Sequence, residues 1–142
     1  MTADRRENGT WVTYSDGASR GNPGLASYGA VVIDPSGQVR REISVSLGVT
    51  TNNVAEYRGL IAALEAALEL GARRVEARLD SELLVRQAIG RYRVKSPGLI
   101  PLSNQVQALR NRFDHVAFAH VPRALNKQAD ALANRALDGG GQ

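Results

Sequence analysis

The spacing of hydrophobic residues along the chain changes from a strand pattern to a helix pattern near Asn53. Residues 11–16, 28–33 and 39–47 form short apolar or alternating runs rich in β-branched and aromatic side chains, which predicts three strands. The turn residues Asp-Pro-Ser-Gly at 34–37 separate the second strand from the third. Because no helix is predicted between these three strands, we expect them to form an antiparallel meander.

Hydrophobic residues after Asn53 recur at helical spacing. Leu60, Leu64 and Leu68 lie four residues apart and predict a long helix that ends at Gly71. The rest of the chain predicts a strand at 75–79, a short helix at 81–89, a loop bracketed by Pro97 and Pro101, a helix at 106–112, a strand at 116–120 and a helix at 127–137. Because helices connect the later strands, the pattern predicts an α/β fold in which helices pack on the faces of a mixed sheet.

The composition narrows the chemistry that this single domain can perform. The 142 residues include 18 Lys and Arg against 14 Asp and Glu, and the net charge of +4 favours a polyanionic partner. The absence of cysteine excludes disulfides, thiol nucleophiles and cysteine-ligated metal sites, and two histidines are too few for a histidine-rich site. Any metal ion would therefore be a hard cation such as Mg²⁺, bound by carboxylate oxygens.

The two ends of the chain differ in composition from the region between them. We expect residues 1–9 to be a flexible segment, residues 10–137 to form the domain, and the glycine-rich residues 138–142 to be a frayed tail or the start of a linker to a further domain. No apolar stretch approaches the roughly 20 residues that cross a bilayer, and the N-terminus lacks the apolar core of a signal peptide. A cytoplasmic protein without a membrane segment is therefore expected.

Four acidic residues follow predicted strands or begin predicted helices. Asp16 and Asp80 come at the ends of strands, whereas Glu56 and Asp130 lie in the first turns of helices. Each position also has a purely local explanation. An Asp-Gly turn would account for Asp16, and a capping box with Asn53 would account for Glu56. Asp80 could cap the next helix, and the helix dipole would favour Asp130.

A shared role is the alternative to these four separate explanations. In a mixed sheet with helical crossovers, strand ends and helix starts can meet at one edge of the sheet. Carboxylates gathered there repel one another unless cations neutralise them. Two Mg²⁺ ions about 4 Å apart would do so, and such a pair activates water and stabilises the leaving oxygen. Together the four acids therefore predict phosphodiester hydrolysis.

Four segments of the chain, in this order, resemble the motifs of type 1 ribonuclease H. They are residues 14–24 (YSDGASRGNPG), 50–57 (TTNNVAEY), 79–82 (LDSE) and 120–130 (HVPRALNKQAD), and the resemblance covers about residues 10–137. It implies the ribonuclease H-like fold, a five-stranded mixed sheet flanked by helices, with the first three strands as an antiparallel meander. It also implies that the enzyme hydrolyses the RNA strand of RNA–DNA hybrids with two Mg²⁺ ions, or with Mn²⁺ as a substitute. The family's products carry 5′-phosphate and 3′-hydroxyl ends.

The resemblance also assigns roles in catalysis by matching position. It implies that the metal ligands and catalytic acids are Asp16, Glu56, Asp80 and Asp130. His120 stands where the family has a mobile-loop histidine that helps to move protons or release product. A residue that merely ends a strand is the alternative interpretation of His120.

Hybrid-contacting positions of the family are matched by Ser19, Asn22, Thr51, Asn52 and Asn53. Their side chains would read 2′-hydroxyls and the minor groove or, beside Thr51, hold a DNA phosphate, because only the 2′-hydroxyl distinguishes RNA from DNA at a nucleotide. Turn and cap chemistry explains the asparagines equally well. Arg123 could hold a further phosphate, and a solvated loop arginine is the alternative.

The segment from Leu83 to Phe113 contains six basic residues and no acidic residue. Within it, the closely spaced Arg91, Arg93 and Lys95 are candidates for contacting the phosphates of a duplex, whereas a solvated helix face is the alternative. Some family members carry an extra basic helix here, and this shorter segment predicts weaker binding than theirs.

The sequence thus favours a monomeric, metal-dependent endoribonuclease acting on RNA–DNA hybrids. One alternative is a broader nuclease that also cuts double-stranded RNA. Another is a hybrid-binding module without catalysis, because folds outlast their chemistry. The chain could also be one domain of a bifunctional protein whose second domain follows the C-terminal glycines.

Overall fold

The computed structural model describes residues 9–139, in which loops connect five strands and four α-helices. The strands are β1 (Thr10–Gly21), β2 (Gly24–Ile33), β3 (Val39–Thr50), β4 (Arg74–Leu79) and β5 (His115–His120). The helices are α1 (Asn52–Glu69), α2 (Glu82–Ala88), α3 (Ile100–Arg110) and α4 (Lys127–Gly139), and a 3₁₀ turn at Arg123–Leu125 precedes α4. None of these helices is both long enough and apolar enough to cross a bilayer.

The strands form one sheet in the order β3-β2-β1-β4-β5. β2 pairs antiparallel with both β1 and β3, whereas β4 pairs parallel with both β1 and β5. The parallel pairs require crossover connections, which the helices between them provide. The predicted α/β fold, with an antiparallel meander in a mixed five-stranded sheet, is confirmed.

Helices cover both faces of the sheet. Neighbouring residues of a strand point to opposite faces, and in β2 Tyr28 lies against Gly59 of α1 whereas Gly29 lies against Ala129 of α4. The main hydrophobic core lies on the α1 side, where α1, α2 and α3 bury residues that include Leu60, Leu64, Leu79, Leu84 and Val106. α4 lies alone on the other face, mainly over β1 and β2. The central strand β1 is therefore enclosed between two layers of helices.

The prediction that the first strand ends at Asp16, where an Asp-Gly turn would follow, is wrong. Residues 16–21 stay paired with β2, from Asp16 opposite Gly29 to Gly21 opposite Gly24, and only two residues form the turn. The glycines serve this close pairing: Gly21 has a φ of +105°, and a Cβ at Gly24 would lie 2.2 Å from the Arg20 carbonyl oxygen. Asp16 therefore lies within a strand, one residue beyond the end of its pairing with β4.

Two helix boundaries also differ from the prediction. α3 begins at Ile100, well before residue 106, because Pro101 lies in its first turn, where a missing N–H costs no hydrogen bond. α4 continues to Gly139, so Asp138 and Gly139, which were predicted to be part of a tail, are helical. The rest of the predicted flexible ends, residues 1–8 and 140–142, lie outside the described residues.

The predicted hairpin turn at residues 34–37 is confirmed. The Asp34 carboxylate accepts hydrogen bonds from the Ser36 hydroxyl (2.6 Å) and from the backbone N–H groups of Ser36 (2.9 Å) and Gln38 (3.1 Å). The Ser36 hydroxyl is the largest of the causes that hold the pKa of Asp34 below its usual value. This turn fixes the register between β2 and the edge strand β3.

Candidate active site

Four secondary-structure elements bring the four predicted acids together in one open cleft. Asp16 projects from β1, Glu56 from α1 and Asp130 from the first turn of α4, while Asp80 directly follows β4. All four line a cleft of about 500 Å³ at the edge of the sheet where β4 ends. The predicted convergence of strand ends and helix starts therefore occurs, although Asp16 comes from within a strand.

The cluster is tight and partly shielded from water. One carboxylate oxygen each from Asp16, Glu56 and Asp80 lies within 4.8 Å of the others. Asp16 and Glu56 are 5% and 7% exposed, whereas Asp80 and Asp130 are half-buried. Asp130 lies beside Asp16 at the α4 side of the cleft. Buried carboxylates so close to one another need cations or protons to offset their repulsion.

Burial raises the pKa values of the two most buried acids of the cluster. Desolvation is the main reason that the pKa of Asp16 rises to about 9, and the negative charges of Glu56 and Asp80 add to it. Desolvation likewise raises the pKa of Glu56 to about 8, with a further contribution from Asp80. The backbone N–H of Gly17 and the positive charge of Arg123 oppose the rise at Glu56. At neutral pH the cluster therefore favours the uptake of protons or of a divalent cation.

The donor set fits Mg²⁺ or Mn²⁺. Every ligand atom that these residues offer is a carboxylate oxygen, the type that hard divalent cations prefer. Glu56 Oε2 is buried and has no hydrogen-bond partner among residues 9–139. A buried oxygen in this state is costly unless a cation or a proton satisfies it.

The N-caps of α1 and α2 are Thr51 and Ser81, so neither Glu56 nor Asp80 is used in capping a helix. Thr51 is the N-cap of α1, and its hydroxyl accepts a hydrogen bond from the Val54 N–H (3.2 Å), so the predicted capping box of Asn53 and Glu56 is wrong. Ser81 caps α2 in the same way, which makes the capping explanation of Asp80 wrong. Asp130 does lie in the first turn of α4, as predicted.

Close contact between β1 and α1 sets the position of Glu56. At Gly17, which follows Asp16, a Cβ would lie 2.4 Å from the Glu56 backbone nitrogen and 2.5 Å from the Ala55 carbonyl carbon. Only glycine therefore lets the start of α1 approach β1 so closely. Asp16 is thus one acid of the cluster, and Gly17 allows the backbone of Glu56, a second acid, to lie close to β1.

α4, which carries Asp130, is held on the sheet by side chains that the sequence reasoning missed. Asn126 is 1% exposed, and its side-chain N–H group donates to the Ser15 carbonyl (2.9 Å) beside Asp16. Ser27 and Ser44 donate to the backbone carbonyls of Ala133 (2.5 Å) and Leu132 (2.6 Å). For the two serines, a small polar residue within an apolar strand is the sequence signal of such a contact.

Several predicted substrate-binding residues lie at the cleft. Ser19, Asn52 and Arg123 line it, and Asn22 joins them by accepting a hydrogen bond from the Asn52 N–H (3.1 Å). Thr51 and Asn53 are exposed at the start of α1 on either side of Asn52. These residues form a polar rim beside the four acids.

Other predicted site residues lie outside the cleft. His120 is exposed at the end of β5, opposite Leu79 of β4, and is not part of the lining. The exposed Arg91, Arg93 and Lys95 lie in the loop between α2 and α3 and do not line the cleft either.

Comparison with known proteins identifies the family of this chain. The family described as reverse transcriptase-like matches residues 14–136, which include all four acids. A solved RNase H from Halobacterium salinarum is 45% identical, with a TM-score of 0.88 over 92% of this chain and 98% of that one. The chain belongs to the ribonuclease H family. The sheet order of the chain matches that of RNase H structures, and all four acids of the cleft lie within the matched residues.

Other RNase H proteins show similar agreement. An RNase H isolated from compost by a metagenomic approach, solved in complex with an RNA/DNA hybrid, is 41% identical, with a TM-score of 0.86 over 93% of this chain and 99% of that one. A bifunctional protein of Mycobacterium tuberculosis is 50% identical over 133 residues, which are 92% of this chain and 36% of that protein. The chain thus spans about a third of the length of that relative, whose N-terminal RNase H domain superimposes with a TM-score of 0.86 at 49% identity.

Proposed function

We propose that this domain is an endoribonuclease that hydrolyses the RNA strand of RNA–DNA hybrids. The observation that carries the proposal is the convergence of Asp16, Glu56, Asp80 and Asp130, from four separate elements, in one open cleft. The 41% identical RNase H that was solved with an RNA/DNA hybrid supports the substrate class. The expected products carry 5′-phosphate and 3′-hydroxyl ends.

The four acids would hold two Mg²⁺ ions, for which Mn²⁺ can substitute. When bound, such ions activate water and stabilise the leaving oxygen of a phosphodiester. The contribution of the chain is to keep the carboxylates in place before substrate arrives. β1 and the end of β4 hold Asp16 and Asp80, while Gly17 and Asn126 hold the helices that carry Glu56 and Asp130. Such preorganisation avoids rearrangement during the reaction.

The polar rim would distinguish RNA from DNA. Ser19 and Asn52 line the cleft and offer neutral donors and acceptors to a 2′-hydroxyl. Asn22 uses its carboxamide oxygen on the Asn52 N–H, which leaves its NH₂ group to donate to the minor groove. Thr51 and Asn53 extend this rim at the start of α1, where N–H groups favour a phosphate.

Arg123 and His120 would act at different places. Arg123 lies in the cleft near Glu56, where its guanidinium can bind a phosphate of the cleaved strand. His120 lies outside the lining, at the end of β5, so its proposed role in proton movement or product release applies to substrate that extends past this strand.

The loop after α2 would contact the duplex further from the scissile bond. Arg91, Arg93 and Lys95 follow the seven-residue helix α2, which begins two residues after Asp80, so they would bind phosphates beyond the scissile one. None of the three forms an ion pair within residues 9–139. Arg86, by contrast, is paired with Glu82 (2.6 Å) and stacks on Tyr92.

Changing Arg91, Arg93 and Lys95 together to alanine should weaken hybrid binding and make it less dependent on salt. Each lost phosphate contact lowers the slope of log K against log salt by about 1, so the triple variant should lose up to about 3. Fluorescence anisotropy over a salt series measures this slope. The matched control changes Arg73, Arg74 and Arg112 to alanine. These exposed arginines lie near the starts of β4 and β5, whereas the cleft lies where β4 ends. An unchanged slope in the first variant would exclude the loop from the interface.

The function is tested with labelled RNA in three forms: paired with DNA, paired with RNA, and single-stranded. We expect Mg²⁺-dependent cleavage of the hybrid, no cleavage in EDTA, and cuts within the RNA strand rather than from its ends. Cleavage of the RNA duplex at a similar rate would favour the broader nuclease. Hybrid binding without any cleavage in Mg²⁺ or Mn²⁺ would overturn the enzymatic proposal and favour the binding module.

We also propose that this domain is one part of a longer, bifunctional protein. In the Mycobacterium tuberculosis relative the RNase H domain is N-terminal and the matched region is 36% of the protein. A second domain after the C-terminal glycines would have the same order. A monomeric state and a cytoplasmic location remain predictions.

A further inference from the structure

Arg20 lines the cleft beside the residues of the polar rim, but the proposed function assigns it no role. It follows Ser19 on β1 and is opposite Leu25 of β2, near the turn that Asn22 begins. It lies four positions after Asp16 along the strand, a distance of about 13 Å. Arg20 therefore marks the end of the cleft that is remote from the acids.

The side chain of Arg20 forms an ion pair with Asp138 in the last turn of α4. The two side chains are 55% and 70% exposed, so the pair lies in solvent above the cleft. Water and salt screen such a pair, which consequently stabilises a fold very little. A stronger anion can therefore replace the carboxylate without a large loss of stability.

The charges of the cleft indicate which anion that would be. Among the lining residues that the structure describes, Arg20 and Arg123 are the only cations, beside four acids. Arg123 lowers the pKa of Glu56 and thus acts at the acidic end. Arg20 has five N–H donors, of which Asp138 receives one hydrogen bond. The remaining donors can bind the two non-bridging oxygens of a phosphate diester in the bidentate manner that arginine favours.

We propose that Arg20 is a further substrate-binding residue, which binds a backbone phosphate of the hybrid a few nucleotides from the scissile bond. This inference rests on the proposed function. Asp138 holds the guanidinium over the cleft in the free protein and competes with the phosphate for it. The two residues of one ion pair should therefore have different effects on substrate binding.

The test compares Arg20→Ala with Asp138→Ala. Arg20→Ala should raise the Kd for an RNA–DNA hybrid in EDTA about 5-fold or more at about 0.1 M salt and lower the salt slope by about 1. In Mg²⁺ it should raise KM while leaving kcat within about 2-fold, because the contact is made equally in the ground state and the transition state. Asp138→Ala should leave Kd unchanged or lower it.

Arg41→Ala is the matched control. Arg41 forms a comparable exposed pair with Glu69, with side chains 38% and 67% exposed, and does not line the cleft. Its removal should change neither Kd nor the salt slope. Thermal melting of all three variants shows that each is folded.

Two outcomes would overturn the inference, and neither would affect the proposed function. Equal rises in Kd for Arg20→Ala and Asp138→Ala would mean that the pair only holds α4 in place. An unchanged Kd for Arg20→Ala would mean that no phosphate reaches it. By contrast, a wild-type protein that neither binds nor cleaves the hybrid would overturn the proposed function itself.

Discussion

Changing Asp16 to asparagine is expected to reduce hybrid cleavage by about 10³-fold or more, with kcat rather than KM carrying the loss. Asp16 is central in the cluster, because Glu56, Asp80 and Asp130 all contribute to raising its pKa. An amide keeps the shape of the side chain but removes one of the negative charges that attract divalent cations. The measurement is the single-turnover rate on a labelled hybrid in Mg²⁺.

The same variant should be more stable than the wild type when no metal is present. The pKa of Asp16 rises from 3.8 to about 9 on folding, so between these values the folded protein holds a proton that the unfolded chain releases. Stability of the metal-free wild type therefore falls as pH increases through this range. At pH 7.5 in EDTA, Asp16→Asn should melt roughly 3 °C or more above the wild type.

Asp114→Asn serves as the control for both measurements, because Asp114 is exposed and lies just before β5, away from the cleft. It should change neither cleavage nor melting. Retained cleavage in Asp16→Asn would remove this residue from the catalytic set. If Asp16→Asn melted below the wild type in EDTA, burial of the Asp16 carboxyl group would not destabilise the metal-free fold.

Changing Gly17 to alanine should damage both the fold and the activity. The new methyl group would lie 2.4 Å from the Glu56 nitrogen and 2.9 Å from the Ala55 Cβ, and the first of these belongs to backbone that cannot rotate away. α1 must then shift from β1, which should cost about 3 kcal/mol of stability. Because Glu56 moves with α1, cleavage by the folded fraction should fall about 10²-fold. Urea denaturation and single-turnover rates measure the two effects.

Gly98→Ala separates this steric effect from a general loss of glycine. A Cβ at Gly98 would have only the Ser96 hydroxyl near it, at 4.0 Å, in the loop before α3. That variant should match the wild type in both measurements. If Gly17→Ala also matched the wild type, the contact between β1 and α1 would not determine where Glu56 lies.

Hydrophobic spacing was sufficient to predict the main elements of the fold. The three strands of the meander, the long helix with Leu60 and Leu64, and the two later strands all occur near their predicted positions. The length of β1 could not be predicted, because its glycines have low strand propensity. Residues 16–21 are a strand only because they pair with β2. The role of Pro101 was missed for a related reason, since a proline in a first turn and a proline in a loop have the same local sequence.

The four acids were predicted from their order in the chain, whereas the contacts that place them were not. The hydrogen bonds of Asn126, Ser27 and Ser44 join residues 111, 106 and 88 positions apart. No local pattern identifies which distant partner such a side chain will meet. Local sequence also named the wrong caps, because Asn53 and Asp80 are as suitable for capping as Thr51 and Ser81.

The four acids are spread along almost the whole domain, from β1 to α4. A nascent chain that ends after α1 contains Asp16 and Glu56, yet it lacks β4 with Asp80 and α4 with Asp130. The last of the four acids emerges from the ribosome only when the domain is nearly finished. A growing chain therefore has no complete cluster of the four acids until α4 has been made.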